Sequence, residues 1–145
     1  MNTQNNQYQD DIKNLEKNLT HCLLGFDYFD ANKIYSKIRH IKENLLNQPQ
    51  EDNTLQEILV QFCSDAFDYD DIYLRGRIGT CFLYGNGVEQ NEEIGVKMLK
   101  YSSNLNCMTA YHVLDSYFKE KMEKELLKNL KKYPEIYSEG VDDVK

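Results

Sequence analysis

An all-α fold made of stacked helical hairpins, an α/α superhelix, is predicted by three features of this sequence. Apolar residues recur at three- and four-residue spacing along most of the chain. Only two prolines and seven glycines interrupt its 145 residues. A helix-turn-helix unit is also followed by a partial copy of itself. Leu74, Ile78, Gly79 and Phe82 share one helical face, and Ala110, Leu114 and Phe118 follow Leu74, Ile78 and Phe82 at a constant offset of 36 positions. A fixed period of that size in helix pairs marks a repeat array.

Residues 1–7 form a polar stretch expected to be a disordered leader. A single domain is then expected over 8–133. Tyr8, Ile12, Leu15, Leu19, Cys22 and Phe26 recur at helical spacing, predicting a first helix that ends near Gly25. Asp27 or Asp30 can cap the next helix, because a short carboxylate accepts the free amides of a first turn. That second helix carries Ile34, Ile38, Ile41 and Leu45, so residues 8–46 form an N-terminal hairpin. Asn47–Asn53 reads as a loop, since Pro49 cannot continue a helix. Asn53 with Gln56 has capping-box spacing, and Leu55, Ile58, Leu59, Phe62, Cys63 and Ala66 make a wide apolar stripe behind it.

The helix carrying Leu74 must stop at Gly85-Asn86-Gly87-Val88, where residues tolerant of positive φ reverse the chain. A returning helix carries Ile94, Met98, Leu99 and Ser102, with Gly95 placed for a close crossing. Asn106 stops it. Beyond Phe118, residues 119–133 predict a capping helix of alternating charge carrying Met122, Leu126 and Leu130. Pro134 ends it, and 134–145 are expected to be a flexible tail.

The run Ile78-Gly79-x-x-Phe82-x-x-Gly85-x-Gly87-Val88 resembles the Sel1-like repeat, a relative of the tetratricopeptide repeat. In that family a small residue opens the first helix, Leu-Gly-x-x-Tyr packs it, Gly-x-Gly-Val turns it, and two alanines late in the second helix admit the next repeat. Here Leu74 stands for the opening alanine, and Ser102-Ser103 for the alanine pair. The following copy keeps Ala110, Leu114 and Phe118 but has Asp115 for the glycine and lacks the turn motif. One full repeat and part of a second are covered. Leu24-Gly25-Phe26-Asp27-Tyr28 echoes the packing motif faintly. The resemblance implies an adaptor, assembly scaffold or regulator that binds proteins on its inner surface.

The formal net charge of −7 is concentrated in one segment. Glu51, Asp52, Glu57, Asp65, Asp68, Asp70 and Asp71 lie within residues 51–72 with no basic residue between them. Elsewhere, acids and bases balance. An acidic patch attracts cationic partners and repels phosphate backbones, so nucleic acid is not an expected partner. The same aspartates would also serve simply to solvate a helix end and cap the next helix. Tyrosine is the second enrichment, with eleven residues and no tryptophan. Tyr84 and Tyr111, off the packing face, join Arg75, Arg77, Asp65, Asp68, Asp70 and Asp71 as expected partner-binding residues.

Catalysis finds no motif. His21, His40 and His112 fall in different helices, and Cys22, Cys63, Cys81 and Cys107 are scattered without a Cys-x-x-Cys pair. Reduced buried thiols are therefore expected, with no metal or other cofactor. No apolar run is long enough to cross a bilayer and the start does not read as a signal peptide, so a cytoplasmic location without membrane association is expected. The reading is a monomeric, non-enzymatic module that binds another protein. Its size and acidity suit an immunity protein that sequesters a basic, nuclease-type bacterial toxin. An adaptor or secretion chaperone is the alternative among binding proteins. A small Sel1-like hydrolase is the alternative of another class, for which an exported, disulfide-rich chain would be expected.

Overall fold

The computed structural model describes residues 3–64 and 71–132, and within them the chain is all-helical with no strand. The helices are α1 (Thr3–Leu24), α2 (Tyr28–His40, continued by a π-helical turn at Ile41–Leu45), α3 (Thr54–Phe62), α4 (Asp71–Tyr84), α5 (Glu92–Asn104) and α6 (Met108–Lys132).

Three boundaries differ from those expected. Helix α1 already includes Thr3–Gln7, where a disordered leader was expected. Side chains one turn apart brace this start: Gln4 Nε2 donates to Tyr8 Oη at 2.9 Å and Gln7 Nε2 to Asp11 Oδ1 at 3.0 Å. Phe26 does not continue the α1 stripe. It lies past the helix end in the left-handed region, with φ +62°. Residues 119–132 are not a separate capping helix. They extend α6, whose first turns carry Ala110, so this helix runs on past Phe118, whereas α4 turned back just after Phe82.

The loop after α2 is held by a residue that sequence reading passed over. Arg39 is buried, and its guanidinium donates to Asn53 Oδ1 and Gln56 Oε1 at 2.8 Å, to Glu43 Oε1 at 2.7 Å and to the Gln50 carbonyl at 2.9 Å. The expected Asn53/Gln56 capping box therefore does not form, because both side chains turn to the arginine. Asp52 caps α3 instead, accepting from the Thr54 amide at 2.9 Å, and hydrogen bonding from the Thr54 hydroxyl, with the amide second, holds its carboxyl below the ordinary value. A buried cation needs several acceptors to offset lost hydration, and the loop supplies them.

Helix α4 lies between two apolar clusters. Leu74, Ile78, Cys81 and Phe82 join a large one with α1, α2 and α3, including Leu19, Leu23, Ile38, Leu55 and Ile58. Leu83 joins Leu99 and Ala110 in a smaller one with α5 and α6. Because α4 packs on more than one side, its buried residues are spread around the helix and it shows little amphipathic contrast.

The turn after α4 behaves as its glycines require. Gly85 and Gly87 have φ of +74° and +81°. A Cβ on Gly87 would stand 2.9 Å from Tyr35 Oη and 3.0 Å from Leu55 Cβ, so the turn is seated against α2 and α3. Asn91 then caps α5 by accepting from the Ile94 amide at 3.0 Å. The two helices run antiparallel, with Asn91 bonded to the Phe82 carbonyl at 2.7 Å, Gly95 against Gly79, and Ser102 Oγ donating to the Ile72 carbonyl at 2.8 Å. At the crossing a Cβ on Gly95 would meet Gly79 O at 2.8 Å and Leu83 N at 2.9 Å. Only hydrogen fits there. Asn106, at φ +69°, reverses the chain into α6, and Gly76, Ser102 and Ala110 bring α4, α5 and α6 together through small side chains.

Candidate protein-binding surface

The corner where α1 turns into α2 meets the first turns of α4 and the last turns of α5. Gly25 donates to the His21 carbonyl at 3.0 Å and Asp27 to the Cys22 carbonyl at 2.9 Å, which closes α1. Asp27 then caps α2, its Oδ1 accepting from the Asp30 amide at 3.1 Å. Between these bonds Phe26 is held with its side chain outward, 49% exposed. Arg75 places its guanidinium 3.9 Å from the Phe26 ring centroid and 5.8 Å from that of Tyr101. Arg75 Nη1 also lies 3.3 Å from Tyr101 Oη, and Nε lies 2.9 Å from Asp71 Oδ2. Leu24, Phe26, Arg75, Lys97, Met98 and Tyr101 line a cleft of about 160 Å³.

Beneath this corner, Tyr28 stacks on Phe62 with centroids 3.7 Å apart and planes 8° from parallel. Burial pushes its hydroxyl up to about 12, with the positive charge of Arg75 working against that rise. Phe29, the second residue of α2, is 67% exposed. The surface therefore combines exposed aromatic rings with an arginine whose orientation is fixed by a carboxylate and two π faces. Such a group can clamp a planar or apolar element of a partner without first being ordered.

The partner-binding residues expected from sequence do not gather at one place. Asp71 and Arg75 meet at this corner. Arg77 is half-buried, with its guanidinium 6.0 Å from the Tyr73 ring. Tyr84 is at the opposite end of α4, edge-on to Tyr117 at 5.9 Å, and Tyr111 is exposed on α6 beside His112. Asp65, Asp68 and Asp70 lie outside the described residues, as do Ala66 and residues 134–145. Phe26 and Tyr101 were not selected from sequence. The available signal was the Gly-Phe-Asp junction, which interrupts the α1 stripe one residue after a helix stop.

The repeat-motif residues are placed unevenly. Leu74, Ile78, Gly79, Phe82, Val88, Gly95 and Ala110 are buried, Leu114 is half-buried, and Phe118 is exposed. A larger groove of about 520 Å³ runs between α1 and the α4–α5 turn, lined by Lys13, Glu16, Lys17, Val88, Gln90 and Ile94 among others. The histidines are exposed on α1, α2 and α6, and among the described residues no three His, Cys, Asp or Glu side chains converge as metal ligands. Burial pushes the Cys81 thiol up to about 12, which disfavours the thiolate at neutral pH. Among the described residues, no helix is long and apolar enough to cross a membrane.

Comparison with known proteins finds no matching family model, no matching curated protein and no matching solved structure.

Proposed function

We propose that this chain is a protein-binding module, a short Sel1-like stack of antiparallel helix pairs, and that it captures a partner protein at the Phe26–Arg75–Tyr101 corner. The supporting observation is Phe26 itself. A large residue in the left-handed region costs roughly 1 kcal/mol or more. A turn serving only to connect α1 and α2 avoids that cost with glycine, and here the ring is instead held out against Arg75. Aromatic and arginine side chains are the types that dominate the centres of interfaces.

The narrower reading is an immunity protein that sequesters a basic, nuclease-type toxin in the cytoplasm. Asp71, the last acid of the run read from sequence, lies at this corner, and charge complementarity speeds capture of a cationic partner. On this reading the module has no enzymatic activity and binds no nucleic acid, membrane or cofactor. The groove between α1 and the α4–α5 turn favours a second reading, an adaptor or secretion chaperone that holds an extended segment of a client.

Calorimetry with a basic, nuclease-type toxin domain from the neighbouring reading frame, if that frame encodes one, paired with growth rescue on co-expression, tests the narrower reading. Stoichiometric binding is expected, weakened about tenfold or more by Phe26→Gly. Glycine relieves the backbone strain, so this variant should keep wild-type stability within about 1 kcal/mol. Binding unaffected by Phe26→Gly and Arg75→Ala would move the interface elsewhere, and absence of binding and rescue would remove the immunity assignment.

A further inference from the structure

The second half of α6 carries an apolar stripe that α5 does not cover. The clasp between α5 and α6 ends at Lys121, whose Nζ donates to Glu92 Oε1 at 2.7 Å. Beyond it Met122 is 72% exposed and Leu126 51% exposed, and together with the exposed Phe118 they follow one another at four-residue intervals. Such residues lie on one side of a helix.

The charges around that stripe identify what covers it. Read outward from Met122, Lys121 is matched by Glu123, Glu120 by Lys124, Lys119 by Glu125 and Phe118 by Leu126. The segment is thus its own charge complement when read backwards. We propose that this half of α6 pairs antiparallel with the same segment of a second copy of the chain, about a two-fold axis at Met122. Phe118 then packs on Leu126 of the second copy, Met122 on Met122, and the lysines before the axis face the glutamates after it. Parallel pairing puts lysines level with lysines and glutamates level with glutamates, which is repulsive.

A helical ladder within one chain could use the same alternation, but the observed ion pairs do not form one. Lys119 pairs with Asp115 at 2.9 Å and Lys121 with Glu92, which leaves Glu123 and Glu125 without an ion pair among the described residues. The shape also permits the pairing. Among the described residues, the contacts of α5 and α4 with α6 involve residues on the N-terminal side of Met122, so antiparallel copies hold their bodies at opposite ends. A seam of this kind is isologous, the usual form for a two-fold dimer. Its small apolar area belongs to the weak class of interfaces, which implies dissociation in the micromolar range. The proposed dimer differs from the monomer expected from sequence and does not depend on the proposed function.

Sedimentation equilibrium of the full chain from about 1 to about 200 µM tests this. Reversible dimerisation is expected, weakened at least tenfold by Met122→Glu, with helix content by circular dichroism unchanged because the position is exposed. The double variants K119E/K121E and E123K/E125K should each be monomeric at concentrations where the wild type pairs, and should form a one-to-one heterodimer when mixed. A wild type that stays monomeric throughout overturns the proposal. So does a dimer that Met122→Glu leaves intact, or double variants that self-associate as tightly as the wild type.

Discussion

Helices α4 and α6 carry the same spacing of apolar residues and meet different fates. Leu74, Ile78 and Phe82 are enclosed, at 2%, 0% and 1% exposure. Of their counterparts, Ala110 is buried, Leu114 half-buried and Phe118 exposed. The cause lies in what surrounds each helix. Helix α4 has the α1–α3 core on one side and α5 with α6 on the other, whereas no further described helix packs on the outer side of α6. The same apolar spacing is buried only as deeply as the neighbouring helices allow.

The most direct way to break this comparison is to truncate the paired aromatics. Phe82→Ala should cost about 3–5 kcal/mol, since it removes a fully buried ring and leaves a cavity, while Phe118→Ala should cost less than about 1 kcal/mol. Urea unfolding of both variants measures the difference. Equal losses would mean that α6 is as enclosed as α4.

Next in size is the crossing of α4 with α5. Gly95→Ala places a methyl against the backbone of Gly79 and Leu83, neither of which can rotate away as a side chain would. A loss of about 1–3 kcal/mol is expected. The analogous contact with α6 is softer: a Cβ on Gly76 would meet Ser102 Oγ at 3.3 Å and Ala110 Cβ at 3.5 Å. Gly76→Ala should therefore cost less than Gly95→Ala in the same unfolding assay.

These glycines also show where the sequence was informative. A glycine pair at a turn, or one facing another helix, leaves few structural alternatives, so the α4–α5 hairpin could be read residue by residue. The all-helical class, a cap at Asp27 or Asp30 (the structure uses Asp27) and the stop at Asn106 followed from similarly local chemistry. Arg39 could not be found in this way, because its acceptors Asn53, Gln56 and Gln50 become neighbours only after α2 and α3 have packed. The Phe26 corner was hidden for a related reason. Helical spacing assigned Phe26 to the α1 stripe, while its partners Arg75 and Tyr101 come from α4 and α5. Expected site residues selected for lying off one helical face, such as Tyr84 and Tyr111, proved to point to separate parts of the surface.

Thiol reactivity sharpens the contrast without altering a residue's packing. Cys81 on α4 is buried, whereas Cys107, at the entry to α6, is half-buried. Under native conditions Cys107 should react with a small thiol reagent at least about a hundredfold faster than Cys81, whose labelling requires opening of the large core. Mass mapping of the modified peptides separates the two sites. Comparable rates would show that the α4 core opens as readily as the edge.

The smallest effect concerns the clasp that fastens α6 to α5. Glu92 accepts from Lys121 at 2.7 Å and from Tyr117 Oη at 2.6 Å, and these bonds, with Lys121 the larger influence, hold its carboxyl below the ordinary value. The Tyr117 hydroxyl is correspondingly pushed up to about 12, chiefly by its bond to that carboxylate. A depressed carboxyl stabilises the fold above its unfolded value, near 4.3, and loses that contribution as pH falls through the folded one. A raised tyrosine stabilises below its ordinary value, near 10, and loses its contribution as pH climbs through about 12. Glu92→Gln should therefore lower the urea midpoint slightly but constantly between about pH 6 and 9, with the gap from wild type closing in acid. The clasp is solvent-exposed, so added salt should narrow the same gap at neutral pH. A gap that persists at about pH 2 would mean that Glu92 acts through packing and not through its charge.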